Sequence, residues 1–281
     1  MYKKPSLPKQ ILIYIGMTVA ALIFMFPLIW MIVSSFKDDA MIFSDITSLK
    51  AFLPAFKEDI LFNYKEVLAK LPLVKAMLNS LSYIVVIIAV GLIVNSMAGY
   101  AFARLKFPKK NLFFSLILAV MIIPGQTVML PQFSIIYKLG LSNSYLALIL
   151  PALASPMYIF LFRQNFMGIP ESIEEAAKLD GASAVRTFFQ LIVPLAKPVY
   201  ATVSILVFIA CWNDFVWPVM VISDNSKQTI QMALSSLFSI QPVNYGNVMA
   251  GLTLVTIPVL IIFLSLQKYY VAGIASTGAK N

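Results

Sequence analysis

Histidine is absent from this chain of 281 residues, and cysteine occurs once, as Cys211. The first absence removes the commonest metal ligand and the side chain that most readily shuttles protons near neutral pH. The second rules out a disulfide within the chain and leaves Cys211 to be read as a small apolar residue in a packed helix. Charge is also sparse. Asp, Glu, Lys and Arg make up 12% of the sequence, about half the share in an ordinary soluble domain. No G-x-x-x-x-G-K-[ST] run occurs, so no loop here is built to cradle nucleotide phosphates. No nucleophile–base set and no metal-ligand cluster stands out, which argues against an enzyme.

What is abundant is apolar surface, 60% of the residues. Crossing the ~30 Å hydrocarbon core of a bilayer takes ~20 apolar residues at 1.5 Å of helix rise each. Charge-free stretches of that order recur, with 23 residues at Ile11–Val33, 28 at Ala76–Ala103, 27 at Asn111–Tyr137 and 24 at Leu139–Phe162. A fifth begins at Pro198 and is interrupted only by Asp214. A sixth has its apolar core at Val248–Leu266. The pattern predicts an all-α integral membrane protein, a single transmembrane domain of six helices at about 11-33, 76-103, 111-135, 142-163, 198-222 and 247-267. The first stretch exceeds the 7–15 residue core of a secretory leader, and no small-x-small cleavage site follows it, so it reads as a retained span.

With six spans, both termini share a side, and Lys and Arg decide which one. The terminal side carries 13 basic and four acidic residues, a net of +9 that equals the formal charge of the whole chain. The opposite side carries 8 of each sign, which cancel. An N-in/C-in topology in a bacterial or archaeal plasma (inner) membrane is therefore expected. Because the charges hug membrane ends, a nucleic-acid binder is not. Residues 34-75 become a long external loop. Within it, Asn63–Leu71 is expected to be a short helix with Val67, Leu68 and Leu71 on one face. The loop reads either as a packed outer cap or as a docking surface for an external partner.

The segment 167-195, on the terminal side, is too ordered in pattern to be a plain connector. Pro170 suits a first helical turn, and Glu171, Glu174 and Glu175 place negative charge near the positive end of a helix dipole. Gly181 supplies a residue free to take positive φ and end that helix. A second helical run, Ala184–Ile192, follows until Pro194 stops it. This helix–turn–helix is either an interfacial pair lying on lipid or a coupling element seated in a partner's groove. Its acidic first helix disfavours the negative cytoplasmic leaflet.

Glu175-Ala176-Ala177, then Gly181, then Leu191-Ile192-Val193-Pro194 resembles the E-A-A loop of ABC-importer permeases. Leu191 and Val193 stand where that motif has isoleucine and leucine. Asn79-Ser80, Gly99-Tyr100-Ala101-Phe102-Ala103-Arg104, Ile123-Pro124-Gly125-Gln126, Leu130-Pro131-Gln132-Phe133, Trp212-Asn213-Asp214-Phe215 and the tail Gln267–Gly273 are similar to MalG-like permeases of carbohydrate-uptake ABC importers, the binding-protein-dependent transport permease family. The resemblance implies a type I transmembrane domain that is not catalytic by itself. It implies four kinds of partner: a second, MalF-like permease, an ABC ATPase dimer, an extracellular or periplasmic solute-binding protein, and membrane lipid. No cofactor is expected on this chain; ATP and Mg would sit on the ATPase. It carries ATPase coupling onto Glu175, Ala176, Ala177, Asp180, Gly181, Phe188, Leu191 and Pro194, and suggests that residues 273–281 also reach toward the ATPase. The cargo is expected to be a sugar or oligosaccharide, the alternative being a non-sugar small solute.

A transport path needs polar groups inside apolar spans. Asn79, Gln126, Gln132, Asn213 and Asp214 are the candidates. Asp214 follows ~24 Å of helix from Pro198, and reads as an interfacial anchor beside Trp212 and Trp217 or as part of an outer gate. Asn95 shares a face with Gly91 and Gly99 and reads as close helix packing. A proton- or sodium-driven carrier would show internal repeats and ionisable groups at mid-membrane. Neither is seen.

Overall fold

The computed structural model describes residues 6–44, 47–55 and 59–278, with side chains through residue 265 and at 267. Lys3, Lys4, Lys280 and the last residues of the predicted tail lie outside the described residues. Among the described residues there is no strand. In chain order the helices are α1 (Leu7–Ser34), α2 (Asp39–Ser44), α3 (Phe62–Lys70), α4 (Leu73–Arg104), α5 (Lys110–Val120) and α6 (Gly125–Lys138). Next come α7 (Tyr145–Ala152), α8 (Pro156–Met167), α9 (Glu171–Leu179) and α10 (Ala184–Thr187), then a π-helical turn at Phe188–Ile192 and α11 (Val193–Leu195). The chain continues as α12 (Lys197–Trp212), α13 (Val216–Val221), α14 (Ile230–Ser235) and α15 (Tyr245–Gly278).

By length and composition, α1, α4 and residues Tyr245–Ser265 of α15 are each able to cross a bilayer. Three more crossings arise if bent pairs count as one: α5 with α6 (99°), α7 with α8 (42°), and Ala184–Leu195 with α12 (79°). The stretch expected at 111-135, where Pro124, Gly125 and Pro131 predict a kink, is thus two helices meeting almost at a right angle. Pro124 explains the break, because proline disfavours helical geometry at the residue before it and lacks a donor for the preceding turn. Pro156, at the start of α8, does the same in the fourth stretch. The stretch expected at 198-222 is also divided, at Asn213–Phe215. Asn213 Nδ2 donates to Ile209 O (2.9 Å) at the end of α12, and Asp214 Oδ1 accepts from Trp217 N (3.3 Å) at the start of α13.

Two smaller expectations need correction. Pro194 does not stop the second short helix, which continues to Leu195. The π-helical turn just before it widens the backbone and shifts which carbonyls need donors, so a residue without an N–H fits. In α3, Val67 is buried but Leu68 is 46% exposed. The inward positions are Asn63 and Val67, one turn apart.

The chain divides into two compact units, Met1–Val74 with Ala233–Ile257, and Lys75–Met232 with Pro258–Asn281. In the first unit the connector after α1 is tied down by buried polar groups. Lys37, 2% exposed, donates from Nζ to Lys50 O at 2.6 Å. Asn63 Nδ2 donates to Ser35 O and Lys37 O, both at 2.9 Å. The Asp39 carboxylate accepts from the backbone N–H groups of Tyr245 (3.1 Å) and Gly246 (2.9 Å), capping α15. Gly246 is required there: a Cβ would lie 2.6 Å from Lys37 O. The most apolar stretch of α1 has no buried residue.

In the second unit α4 is the axis. Its most deeply buried residues include Ile84, Ile87 and Asn95, with Phe162 and Phe166 of α8 and Val203 and Trp212 of α12 in the same core. Asn95 resolves the break between α7 and α8. Its Nδ2 donates to Leu153 O (2.8 Å) and to Gly91 O (2.6 Å), while its Oδ1 accepts from Ser155 N (2.8 Å). Each backbone group freed by the break would otherwise cost about 1–3 kcal/mol if left buried and unpaired. Close packing against Gly91 is correct, but the amide also staples a neighbouring helix. Asp224, in the connector after α13, accepts from Ser226 N (2.7 Å), and that backbone N–H holds its carboxyl below the usual carboxylate range.

Candidate functional site

Two places in the second unit gather the polar residues singled out above. The first is a cavity of about 380 Å³ whose lining includes Tyr83, Gln126, Gln132, Cys211, Asp214 and Trp217. It exists because helices break around it. The α5–α6 bend puts Gln126 in the first turn of α6 and Gln132 two turns on. The end of α12 contributes Cys211, and the capping turn before α13 contributes Asp214. Tyr83 Oη donates to Cys211 O (3.1 Å) and Trp217 Nε1 to Ala147 O (3.0 Å), so these two rings are held as fixed walls. Among the described residues, neither the Gln126 nor the Gln132 amide has a hydrogen-bond partner. Asp214 is the sole charged residue of the lining. A wall of aromatic faces, spare amides and one carboxylate is chemically suited to a polyhydroxylated molecule.

Of the five path residues read from the sequence, Gln126, Gln132 and Asp214 meet at this cavity. Asn79 and Asn213 do not line it. Asn79 Nδ2 instead holds a connector by donating to Ser226 O and Gln228 O, both at 3.0 Å. Tyr83, Cys211 and Trp217 were not singled out for the path. Cys211 had been read only for packing, and Tyr83 gives no sequence signal because it sits in an ordinary apolar run.

The second place is the segment α9 to α11. Helix α9 ends in two backbone hydrogen bonds, Gly181 N to Lys178 O (3.0 Å) and Ala182 N to Ala177 O (2.9 Å). This is a Schellman closure, and Gly181 at φ +75° supplies the left-handed residue it needs. Ser183 Oγ then accepts from Arg186 N (3.3 Å) and starts α10. A cleft of about 480 Å³ opens between the two short helices, lined among others by Ile173, Ala176, Ala177, Asp180, Thr187 and Leu191. Glu175, Asp180 and Gly181 are exposed, and Leu179 is an apolar side chain left 90% exposed. Phe188 is buried on the far side, with ring centroids 5.1 Å from Tyr100 and 6.3 Å from Phe166. Pro194 is exposed and outside the cleft lining.

Beneath α9 lies a cluster not singled out as a site from sequence. Arg104, the last residue of α4, and Glu174 have side chains only 8% exposed each, and Arg104 Nε lies 2.7 Å from Glu174 Oε1. That approach is an ion pair by distance, although the N–H is not aimed at the oxygen. Tyr100 Oη donates to Glu174 Oε2 (2.9 Å). Arg104 Nη1 reaches Glu171 Oε1 (3.2 Å), and Nη2 donates to Phe166 O (2.8 Å) and to Ile169 O. The available signal was an arginine ending a charge-free stretch and two glutamates one helical turn apart.

Residues 87–276 match the family model described as the inner membrane component of binding-protein-dependent transport systems. The chain is 34% identical over 282 residues to the arabinooligosaccharides transport system permease protein AraQ of Halalkalibacterium halodurans, covering 100% of each. It is 33% identical over 260 residues to the lactose transport system permease protein LacG of Rhizobium radiobacter, covering 92% of this chain and 93% of that one. Its fold is similar to a chain in the crystal structure of a bacterial ABC transporter involved in the import of the acidic polysaccharide alginate. The TM-score is 0.81 at 24% identity, covering 96% of this chain and 100% of that chain. Broken apolar helices around a polar-lined cavity, an ordered helix–glycine–helix segment, and matches over two thirds of the chain or more converge: this protein belongs to the family of binding-protein-dependent transport system inner membrane components.

Proposed function

We propose that this chain is the membrane-spanning permease subunit of an ATP-driven importer that carries a sugar or oligosaccharide into the cell. Hydrolysis belongs to separate ATPase chains, which seat on Glu175–Gly181. The chain crosses the plasma membrane six times with both termini inside, and pairs with a second permease. It receives cargo from an external solute-binding protein. The observation that carries this reading is the geometry of α9 to α11. A segment closed by a Schellman turn, and therefore rigid, presents Glu175, Asp180 and a 90% exposed Leu179 outward beside a cleft floored by alanines. Rigid local structure with an unburied apolar tip is what a docking element needs. The arabinooligosaccharide and lactose systems of the relatives favour a sugar. So does a cavity that offers spare amides and no basic group to an anion.

The test is Gly181→Pro in the complete complex, with its ATPase, partner permease and binding protein. Proline is confined to φ near −65° and has no N–H to give Lys178 O, so it cannot occupy a position at φ +75°. ATPase co-purification and sugar uptake are expected to fall at least tenfold, with the chain still inserted in the membrane. Unchanged co-purification and uptake would remove α9 as the docking element. Uptake of labelled pentose oligosaccharides and lactose, compared with a panel of non-sugar solutes, tests the cargo. Transport of the latter alone would favour the small-solute alternative.

A further inference from the structure

We infer that the buried cluster Arg104–Glu174–Tyr100 is a clamp that makes α9 and α4 move as one body, so that α4 carries displacement of the docking element to the cavity wall. The inference rests on the docking reading of α9 given above. Its structural basis is independent of that reading.

The clamp is built from both sides. From α4, Arg104 spends its guanidinium in three directions: on Glu174, on Glu171, and on the carbonyls of Phe166 and Ile169 that link α8 to α9. One turn earlier on the same helix, Tyr100 binds the other oxygen of Glu174. From α9, Glu174 is buried against this helix end, while Glu171, its side chain 79% exposed, reaches Arg104 from the solvent side. The rings of Tyr100, Phe166 and Phe188 pack around the pair, with centroids 5.1–6.3 Å apart, and exclude water from it. A charge pair at 8% exposure tolerates little relative motion, because separating it strands a buried charge. Helix α9 is therefore fixed to the end of α4 more firmly than through its short connections in the chain.

Helix α4 can transmit what it receives. It runs 32 residues, Leu73–Arg104, without a proline, whereas α1, α6, α7 and α15 each carry a proline past the first turn. Sharp helix kinks arise chiefly at proline. Tyr83 and Ile87 of α4 line the cavity, and Tyr83 lies 21 residues before Arg104, about 32 Å along a straight helix. Tyr83 in turn bonds Cys211 O, so movement of α4 would alter the surroundings of the single thiol in the chain.

Cys211 supplies the readout. The complete complex is prepared with Arg104→Gln, with Glu174→Gln, and with both together. The double variant strands no charge and guards against simple misfolding of the single ones. Two quantities are measured per assembled complex. One is sugar imported per ATP hydrolysed; the other is the rate at which a small maleimide labels Cys211, with and without ATP. A clamp predicts that the import ratio falls about tenfold in each single variant, and that the double variant falls by less than the product of the two. It also predicts that the ATP-dependent change in Cys211 labelling disappears while the ATPase still co-purifies. Arg104→Lys should not restore coupling, since one ammonium cannot serve three directions. Wild-type import per ATP and wild-type nucleotide dependence of labelling in the double variant would overturn the clamp, even if less complex assembles. Gly181→Pro separates this from failure of the docking reading. If that variant loses the ATPase while the double variant stays coupled, docking stands and the clamp falls. If Gly181→Pro keeps its ATPase and its uptake, the docking reading falls first and the clamp, which rests on it, falls with it.

Discussion

The cavity and the foot of α9 are both polar sites at the margins of apolar helices, yet they use hydrogen-bonding capacity in opposite ways. At the foot, Arg104, Glu174 and Tyr100 bind one another and two backbone carbonyls inside a shell of rings. In the cavity, Gln126 and Gln132 have no partner among the described residues, and Asp214 is engaged by one backbone N–H. A buried charge pair enclosed by rings resists separation, because parting it strands a buried charge, which suits a part that passes force. A wall with spare donors and acceptors suits a part that holds cargo briefly and lets it go. Helix continuity differs in the same sense. Three breaks surround the cavity, whereas the foot closes the one long helix of its unit that lacks proline.

The comparison can be broken most severely between the two sites, at Asn95. Replacing it by leucine leaves Leu153 O and Ser155 N without their partners at the α7–α8 break. The cost is about 1–3 kcal/mol, toward the lower end inside a membrane. Because Asn95 serves the fold rather than either site, uptake and hydrolysis should fall together, with the thermal midpoint of the purified complex lowered by several degrees. A selective loss of uptake at unchanged thermal stability would instead place Asn95 in the path. Asp214 sharpens the contrast on the cavity side. Asp214→Ala removes both the cap on Trp217 N and the carboxylate, so it should lower stability by ~1 kcal/mol as well as uptake. Asp214→Asn keeps an accepting oxygen for the cap, so it should keep the stability and lose only the part of uptake that needs charge. Thermal unfolding beside sugar uptake for the two variants distinguishes an anchor from a cargo contact.

Much of this arrangement was legible in the sequence. Charge-free runs, counted against bilayer thickness, located the apolar helices. Proline, three glutamates and a glycine at fixed spacing located α9 and its turn. Pro124 and Gly125 marked the interruption of the third stretch; the breaks at 153–155 and 213–215 were not located, because hydropathy averages over a window and they sit inside runs whose mean stays apolar. Polarity alone points to Asn79 and Asn213 as path residues. Their amide N–H groups donate to the Ser226, Gln228 and Ile209 carbonyls, a three-dimensional fact that spacing cannot supply. Arg104 and Glu174 were counted as membrane-end charges. Sign asymmetry says nothing about which charges are buried together.

The smallest expected effect is the one that tests the cavity most directly. Gln126→Ala and Gln132→Ala each delete an amide that the protein itself does not use, so folding has little to lose. If these amides bind cargo hydroxyls, each is worth about 1 kcal/mol, and the KM for uptake should rise about fivefold with the maximal rate largely kept. Saturating sugar should then slow maleimide labelling of Cys211 in the wild type, and much less so in the double alanine variant at the same concentration. If neither KM nor protection of Cys211 changes, the free amides face lipid or a partner chain. The contrast between a spare-capacity cavity and a self-paired foot would then describe packing rather than transport.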